Sequence, residues 1–407
     1  MRFRHAHGSH TDWSVAVEEC LLQLARFAGD DTTTRTPNLG FLYLTEPLAS
    51  YAEQILTLLK TRTGVASWVG ASAVGIAACG TEYLDEPALS VMLGQFPAGS
   101  VNVFSGTQRP PALGLVTDSG AERAFTALVH ADPTTLDVPD LLVDMAQKVA
   151  SGYLFGGLAS GRQGTRQIAD RVLSGGLSGA VFAADVPLVS RVTQGVHPLP
   201  GAGRHEITQA TANLIVALDG RAAFDVLLED AGLRARAAAG GAASEDFMQV
   251  RQQLQGLGRR GLFVGIEPDS AGGYRERMPR QDYLVRHVVA LDPGKGVVAV
   301  AAPVQTGQQL AFCTRDETAA RKDLVRICAE IRAHLEDAGG SAGPAQARGA
   351  LYVSCLGRGS HMFGEPHEEL RVIRQQLGGV PLTGFYASGE IGGQNLYGFT
   401  GVLTVFY

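Results

Sequence analysis

The chain concentrates its chemically capable side chains in Ser354-Cys-Leu-Gly-Arg-Gly-Ser-His361. This stretch follows an expected strand over Gly349–Cys355, and open α/β sheets place ligands at the carboxyl ends of their strands. The glycines there could turn successive backbone N–H groups toward an anion. Arg358 could clamp a carboxylate through two N–H groups. The competing reading is an Arg-Gly loop that only caps a strand. Glu390 lies in Ser388-Gly-Glu-Ile-Gly-Gly393 among small and apolar residues. A carboxylate in such company is expected to be buried, which is costly without a partner. The partner is either a ligand ammonium or a structural latch of N–H groups or an arginine. Ser160 and Arg162 occupy an equivalent turn and carry the same two readings. Ser354 and Ser388 add hydroxyls to the ligand-binding candidates.

Cys355 is also a candidate, as a ligand contact or as a nucleophile with His361 as its base. A nucleophilic thiol needs a neighbour that stabilises the thiolate. A strand cysteine is more often buried and inert, so an enzyme is not the favoured reading and no catalytic residue is assigned. No G-x-S-x-G, G-x-x-x-x-G-K-[ST] or G-x-G-x-x-G element follows a strand. His5, His7 and His10 form an H-x-H-x-x-H string that could bind a transition metal, although a solvated terminus explains it as well. His361-Met362 is a weak axial pair for haem. No cofactor is otherwise expected.

These residues sit on what look like three copies of one device: a helix, a short apolar run, then two glycines five residues apart. The glycine segments are Gly70–Gly75, Gly156–Gly161 and Gly384–Gly389, the last two containing Ala-Ser-Gly. Repetition of this kind argues for related α/β units whose turns face a common cleft. Ala121–His130, Val138–Ala150, Glu245–Leu257 and Pro366–Gln376 read as helices. Gly175–Ala183 and Leu188–Val192 read as a hairpin.

Composition sets the frame. The 407 residues are 45% hydrophobic and 18% charged, enough for a large core. A net charge of −6 gives no basic face for nucleic acid. Five scattered cysteines without a C-x-x-C pair suit a reducing compartment. No apolar run is long enough to cross a bilayer, and the N-terminus lacks a secretory h-region. The expectation is therefore a cytoplasmic protein with no membrane or nucleic-acid partner.

Several stretches together resemble the FIST sensory domain. Asn38–Thr45, Thr63–Gly70, Gly80–Pro87, Phe155–Gly161 and Leu218–Ala223 resemble its first half. Cys313–Asp316, Ala350–Gly359, Gly384–Ile391 and Leu396–Leu403 resemble its second half. The resemblance implies a mixed α/β (α+β) fold with partly antiparallel sheets. It divides the chain into a lead-in with one helix (1–35), a first domain (36–222) and a second domain with a closing strand (223–407). It further implies a stand-alone sensor that binds an amino acid or similar small polar metabolite in a cleft between the halves. Such a sensor signals through a separate protein such as a kinase or cyclase. A haem-based nitric-oxide sensor and a protein-interaction scaffold are the alternatives.

Overall fold

The computed structural model describes residues 1–26, 36–106, 114–117, 120–233, 252–254, 256, 261–267, 284–340 and 343–407. They divide into two compact units, 1–193 with 321–407, and 194–320. Most of the helix expected over Glu245–Leu257 lies outside the described residues. The boundary expected at 222/223 falls within the second unit, between a strand and a helix.

The first unit repeats one pattern three times. Repeat 1 comprises β1 (Arg2–Ser9), α1 (Trp13–Arg26), β2 (Leu39–Thr45), α2 (Ala52–Thr63), β3 (Ser67–Ala73), β4 (Gly75–Ala78), β5 (Thr81–Leu84) and β6 (Ala88–Gln95). Repeat 2 comprises β7 (Val101–Gly106), β8 (Gly114–Thr117), β9 (Gly120–Arg123), β10 (Thr126–Ala131), α3 (Val138–Lys148), β11 (Leu154–Leu158), β12 (Gln167–Ala169), β13 (Val172–Leu173) and β14 (Leu177–Phe182). Repeat 3 opens with β15 (Leu188–Gln194) and is interrupted by the second unit.

That unit is an antiparallel sheet built from β16 (Val196–Pro198), β17 (His205–Thr211), β18 (Leu214–Leu218), β19 (Arg221–Ala222), β20 (Leu262–Ile266), β21 (Leu284–Asp292), β22 (Val297–Val300) and β23 (Gln309–Arg315). Its helix α4 (Ala223–Asp230) buries Val226 and Leu227 in one core with Ile215, Val264 and Phe312. Repeat 3 then resumes through α5 (Glu317–Gly339), β24 (Gly349–Cys355), α6 (Ser360–Phe363), α7 (Glu368–Leu377), β25 (Leu382–Ala387), β26 (Glu390–Gly393), β27 (Asn395–Tyr397) and β28 (Thr400–Phe406).

In each repeat two parallel strands are joined through a helix: β2 with β3, β10 with β11, and β24 with β25. A later strand returns antiparallel to the first of the pair: β6, β14 and β28. The hairpin in between is exchanged cyclically. β4–β5 joins the sheet of repeat 3, β12–β13 that of repeat 1, and β26–β27 that of repeat 2. The result is three six-stranded sheets of the same order. Mixed sheets with helices make this an α+β fold, as the sequence implied.

The first glycine of each repeated pair is a strand residue, not a turn residue. Gly70, Gly156 and Gly384 face Leu42, Val129 and Tyr352 at the same register of their parallel pairs. A Cβ on any of them would lie 1.7–2.0 Å from the facing residue's carbonyl oxygen. Only glycine permits that approach. Beyond these strands the three segments do converge. The Ser160 hydroxyl donates to the Tyr386 carbonyl at 2.6 Å and accepts from the Val74 amide at 3.0 Å. Leu158 exchanges backbone bonds with Gly389 and Ser388.

The return strands converge as well. Phe96, Phe182 and Phe406 form a triangle with ring centroids 5.6–5.7 Å apart. In strict register Gly94 stands where repeats 2 and 3 carry the phenylalanine. The ring of Phe96 fills the gap, since a Cβ on Gly94 would lie 2.5 Å from it.

Three expectations are corrected. Ala121–His130 is not a helix but the end of β9 and most of β10: Thr126–Ala131 is buried throughout, and its pairing with β11 and β14 overrides its helix-forming residues. Gly175–Ala183 and Leu188–Val192 do not form a hairpin, because β14 and β15 belong to different sheets. The N-terminus is not a solvated tail before a helix. β1 pairs with β6 along eight residues, and His5 and His7 are partly buried.

Gly70→Ala is expected to destabilise the fold by about 1–3 kcal/mol or more, because backbone must move to admit the methyl group. Gly398→Ala, with nothing within 4 Å of the added atom, should stay within about 0.5 kcal/mol of wild type. Urea unfolding of both variants tests this, and equal stabilities would remove the close approach as a constraint.

Candidate functional site

The ends of the three first strands are equivalent positions with different residues: Thr45, Asp132 and Cys355. Each lies three residues beyond the residue that faces the first glycine. Two ends are sealed. Thr45 accepts from the Ala88 amide and donates to the Ala88 carbonyl. Asp132 receives Thr134 N–H at 2.8 Å, Thr165 Oγ1–H at 2.7 Å and Gly175 N–H at 3.1 Å.

The third end is built around a buried carboxylate. Glu369, on the inner face of α7, receives the Tyr352 hydroxyl at 2.6 Å, Arg358 Nε at 2.7 Å, the Ser354 hydroxyl at 3.0 Å and the Gly359 amide at 3.3 Å. Arg358 and Glu369 are both fully buried. Burial is the largest single effect and acts to lower the Arg358 pKa, but the charge and hydrogen bond of Glu369, with Tyr352 and Asp323, together outweigh it and the net direction is upward. Arg358 therefore stays a cation, with its guanidinium carbon 5.3 Å from the Phe363 ring centre. Next to this cluster, Tyr386 donates to Glu82, which also receives the His367 amide at 3.0 Å.

The Arg358 fork is only partly used. Nη1 and Nη2 are buried with no hydrogen-bond partner. Glu390 is in the same condition. Its Oε2 receives the Thr400 amide at 3.1 Å and hydroxyl at 2.8 Å, while Oε1 is buried without a partner. Burial pushes the Glu390 carboxyl up to about 8, against smaller opposing effects from Thr400, Arg358 and the Cys355 thiol. At neutral pH it is mostly the protonated acid. Burial also pushes the Cys355 thiol up to about 12, the opposite of what a nucleophile requires.

The fold thus brings Ser354, Cys355, Arg358 and Glu390 together. Ser160 is committed to the joint between the three repeats. Arg162 is exposed and pairs with Asp85, while its amide and that of Gln163 donate to Glu46. The Ser388 side chain is exposed. The backbone of His361 lies in α6, and its side chain is outside the described residues. Among the described residues no three metal-ligating side chains gather around one point.

Glu369, Tyr352 and Glu82 were not among the sequence candidates. For Glu369 a signal exists: it shares the buried face of α7 with Leu370, Val372 and Ile373. An acid on an apolar helix face requires a partner.

Family comparisons fit this architecture. The FIST N domain matches residues 38–221 and the FIST C domain residues 223–393. The chain belongs to the FIST family. FIST domains are sensory domains of signal transduction. An uncharacterized protein of Mycobacterium tuberculosis is 30% identical over 401 residues, and the match covers 96% of each chain. An uncharacterized protein of Mycobacterium bovis is 29% identical over 408 residues, again 96% of each. The buried cluster draws on both FIST segments, with Glu82 from the first and Arg358, Glu369, Tyr386 and Glu390 from the second. No helix among the described residues is long and apolar enough to cross a membrane.

Two outcomes are expected. Glu369→Ala leaves the Arg358 charge buried and uncompensated, and should cost about 3–5 kcal/mol in chemical unfolding. For Glu390 the folded pKa, about 8, lies above the ordinary 4.5. The stability from its protonated form is therefore complete below about pH 4.5, falls as pH rises toward 8, then levels. The slope is at most about 1.4 kcal/mol per pH unit. Urea unfolding across pH 5–8 should show a decline in wild type that flattens in Glu390→Gln. Parallel profiles would assign the slope to other groups.

Proposed function

We propose that this chain is the ligand-sensing component of a signalling system, and that Arg358 and Glu390 bind a small α-amino carboxylate or a close relative. The supporting observation is that the two Nη atoms of Arg358 and Oε1 of Glu390 are buried without partners. Buried polar groups are nearly always hydrogen-bonded, and an orphan at full burial costs about 1–3 kcal/mol or more. A ligand carboxylate would complete the Arg358 fork in bidentate fashion. A ligand ammonium would complete Glu390 and draw off its proton. Glu369 fixes the guanidinium by taking only Nε, which leaves the two terminal nitrogens for the ligand.

Both groups are enclosed, so entry requires local opening. α6 is flanked by Gly359 and Gly364, both at positive φ, and we assign the opening to this short segment. Its movement on binding would carry the signal to a separate partner such as a kinase or cyclase.

Amino acids and small carboxylates are screened by thermal shift. A hit present at about 100 times its Kd should add about 2.7 kcal/mol. Binding at pH 7 should release close to one proton, read from calorimetry in buffers of different ionisation enthalpy. Glu390→Gln should abolish that release. Arg358→Ala, in protein checked for folding, should weaken binding by roughly 2–5 kcal/mol. A ligand whose affinity and proton release ignore both substitutions, or a panel with no hit, would overturn the assignment.

A further inference from the structure

A cavity of about 200 Å³, separate from the buried cluster, lies beside β1. Its aliphatic wall is supplied by Leu370, Ile373 and Leu377 along one side of α7, with Val380 and Leu382 beyond. Among the described residues its polar lining is His5, His7, Cys79 and Arg374, without a carboxylate.

The strand geometry explains the lining. His5 and His7 are two residues apart on β1 and so project from the same face. Cys79 is held in place, accepting from the Leu382 amide at 3.0 Å and donating to the Val380 carbonyl at 3.4 Å. Burial pushes its thiol up to about 11. His5 is lowered to about 4 by burial, then by His7 and Arg374, and burial also lowers His7. At neutral pH the His5 imidazole is uncharged; His7, whose Nδ1 lies 2.6 Å from the Tyr83 hydroxyl, is shifted in the same direction. Arg374 is exposed on α7 and is the one permanent charge of the lining among the described residues.

An aliphatic pocket with a single guanidinium beside two imidazoles fits a short hydrocarbon body with one anionic head. We propose that this cavity is a second ligand site, which takes a short aliphatic monocarboxylate with its chain against α7 and its carboxylate toward Arg374, His5 and His7. The site stands on its own lining and does not depend on the role assigned to Arg358 and Glu390.

Calorimetric titration of the full chain with butyrate, pentanoate and hexanoate tests this, with hexanamide as the neutral control. One site is expected, with affinity rising roughly fourfold per added methylene. Hexanamide should bind at least tenfold more weakly than hexanoate. Arg374→Met, at an exposed position that should leave folding intact, should erase the preference for the acid. Leu377→Trp should block the chain and lower hexanoate affinity at least tenfold. Glu390→Gln should leave hexanoate binding unchanged. No binding by wild type, no dependence on chain length, or full affinity in Arg374→Met would each overturn the proposal. Loss of hexanoate binding in Glu390→Gln would move the anion to the buried cluster and equally overturn it.

Discussion

A carbonyl oxygen occupies the place of a Cβ at three points in this molecule, and the architecture follows from that contact. At Gly70, Gly156 and Gly384 the second strand of each parallel pair presses against the carbonyl of the first. No side chain can be accommodated there, so each strand passes its neighbour closely and runs on toward the next sheet. Five residues after each of these comes a second glycine: Gly75 opens its exchanged hairpin, Gly389 immediately precedes its own, and Gly161 begins the loop that leads to β12. The exchange makes every sheet depend on a neighbour: removing one repeat would expose an edge in another, an invitation to wrong pairing. The Phe96, Phe182 and Phe406 triangle brings the return strands to the same axis, so hydrogen bonds and aromatic packing enforce one arrangement.

Within this frame Glu369 has a different task. A buried Arg–Glu pair seldom stabilises a fold relative to an apolar pair of similar size, because desolvating two charges offsets their attraction. Its value here is orientation. Four donors converge on Glu369 and leave no freedom in its carboxylate. Arg358 is thereby held through Nε alone. A guanidinium placed only to neutralise Glu369 would present its fork to it, whereas the single Nε contact leaves Nη1 and Nη2 without a hydrogen-bond partner.

The sequence made the repeat legible because glycine spacing is a local property. It also singled out Ser354, Cys355, Arg358 and Glu390, which the fold brings together and which are close in the chain or sit at an equivalent position of the repeat. What remained hidden was non-local. The hairpin exchange pairs residues hundreds of positions apart, as between β4 and β25, and short apolar strands carry no mark of their partner. β10 was hidden because Ala121–His130 holds good helix formers, while its strand state comes from burial between β11 and β14. The β1 strand was masked by its histidines, whose polarity suggested solvent although alternate residues line a cavity. The glycines themselves were placed in turns because glycine usually marks one. A carbonyl approaching from a parallel strand leaves no local trace.

The three repeats also hold an internal comparison that bears on function. The residue after the second glycine is Ile76, Arg162 and Glu390 in turn. Ile76 is apolar and buried in β4. Arg162 projects to the surface and is paired. Glu390 is buried, protonated near neutrality and short of one partner. The strand ends repeat the contrast, with Thr45 and Asp132 tied to neighbouring groups and Cys355 set beside Arg358 and Glu390. If the buried polar cluster were needed to hold this backbone geometry, the other two repeats would need its equivalent. They adopt the same strand pairing with ordinary closures, so the geometry does not require an unsatisfied arginine and acid. The third repeat carries them at a cost in stability that the fold could have avoided, and that cost is what supports the proposal that they bind a ligand.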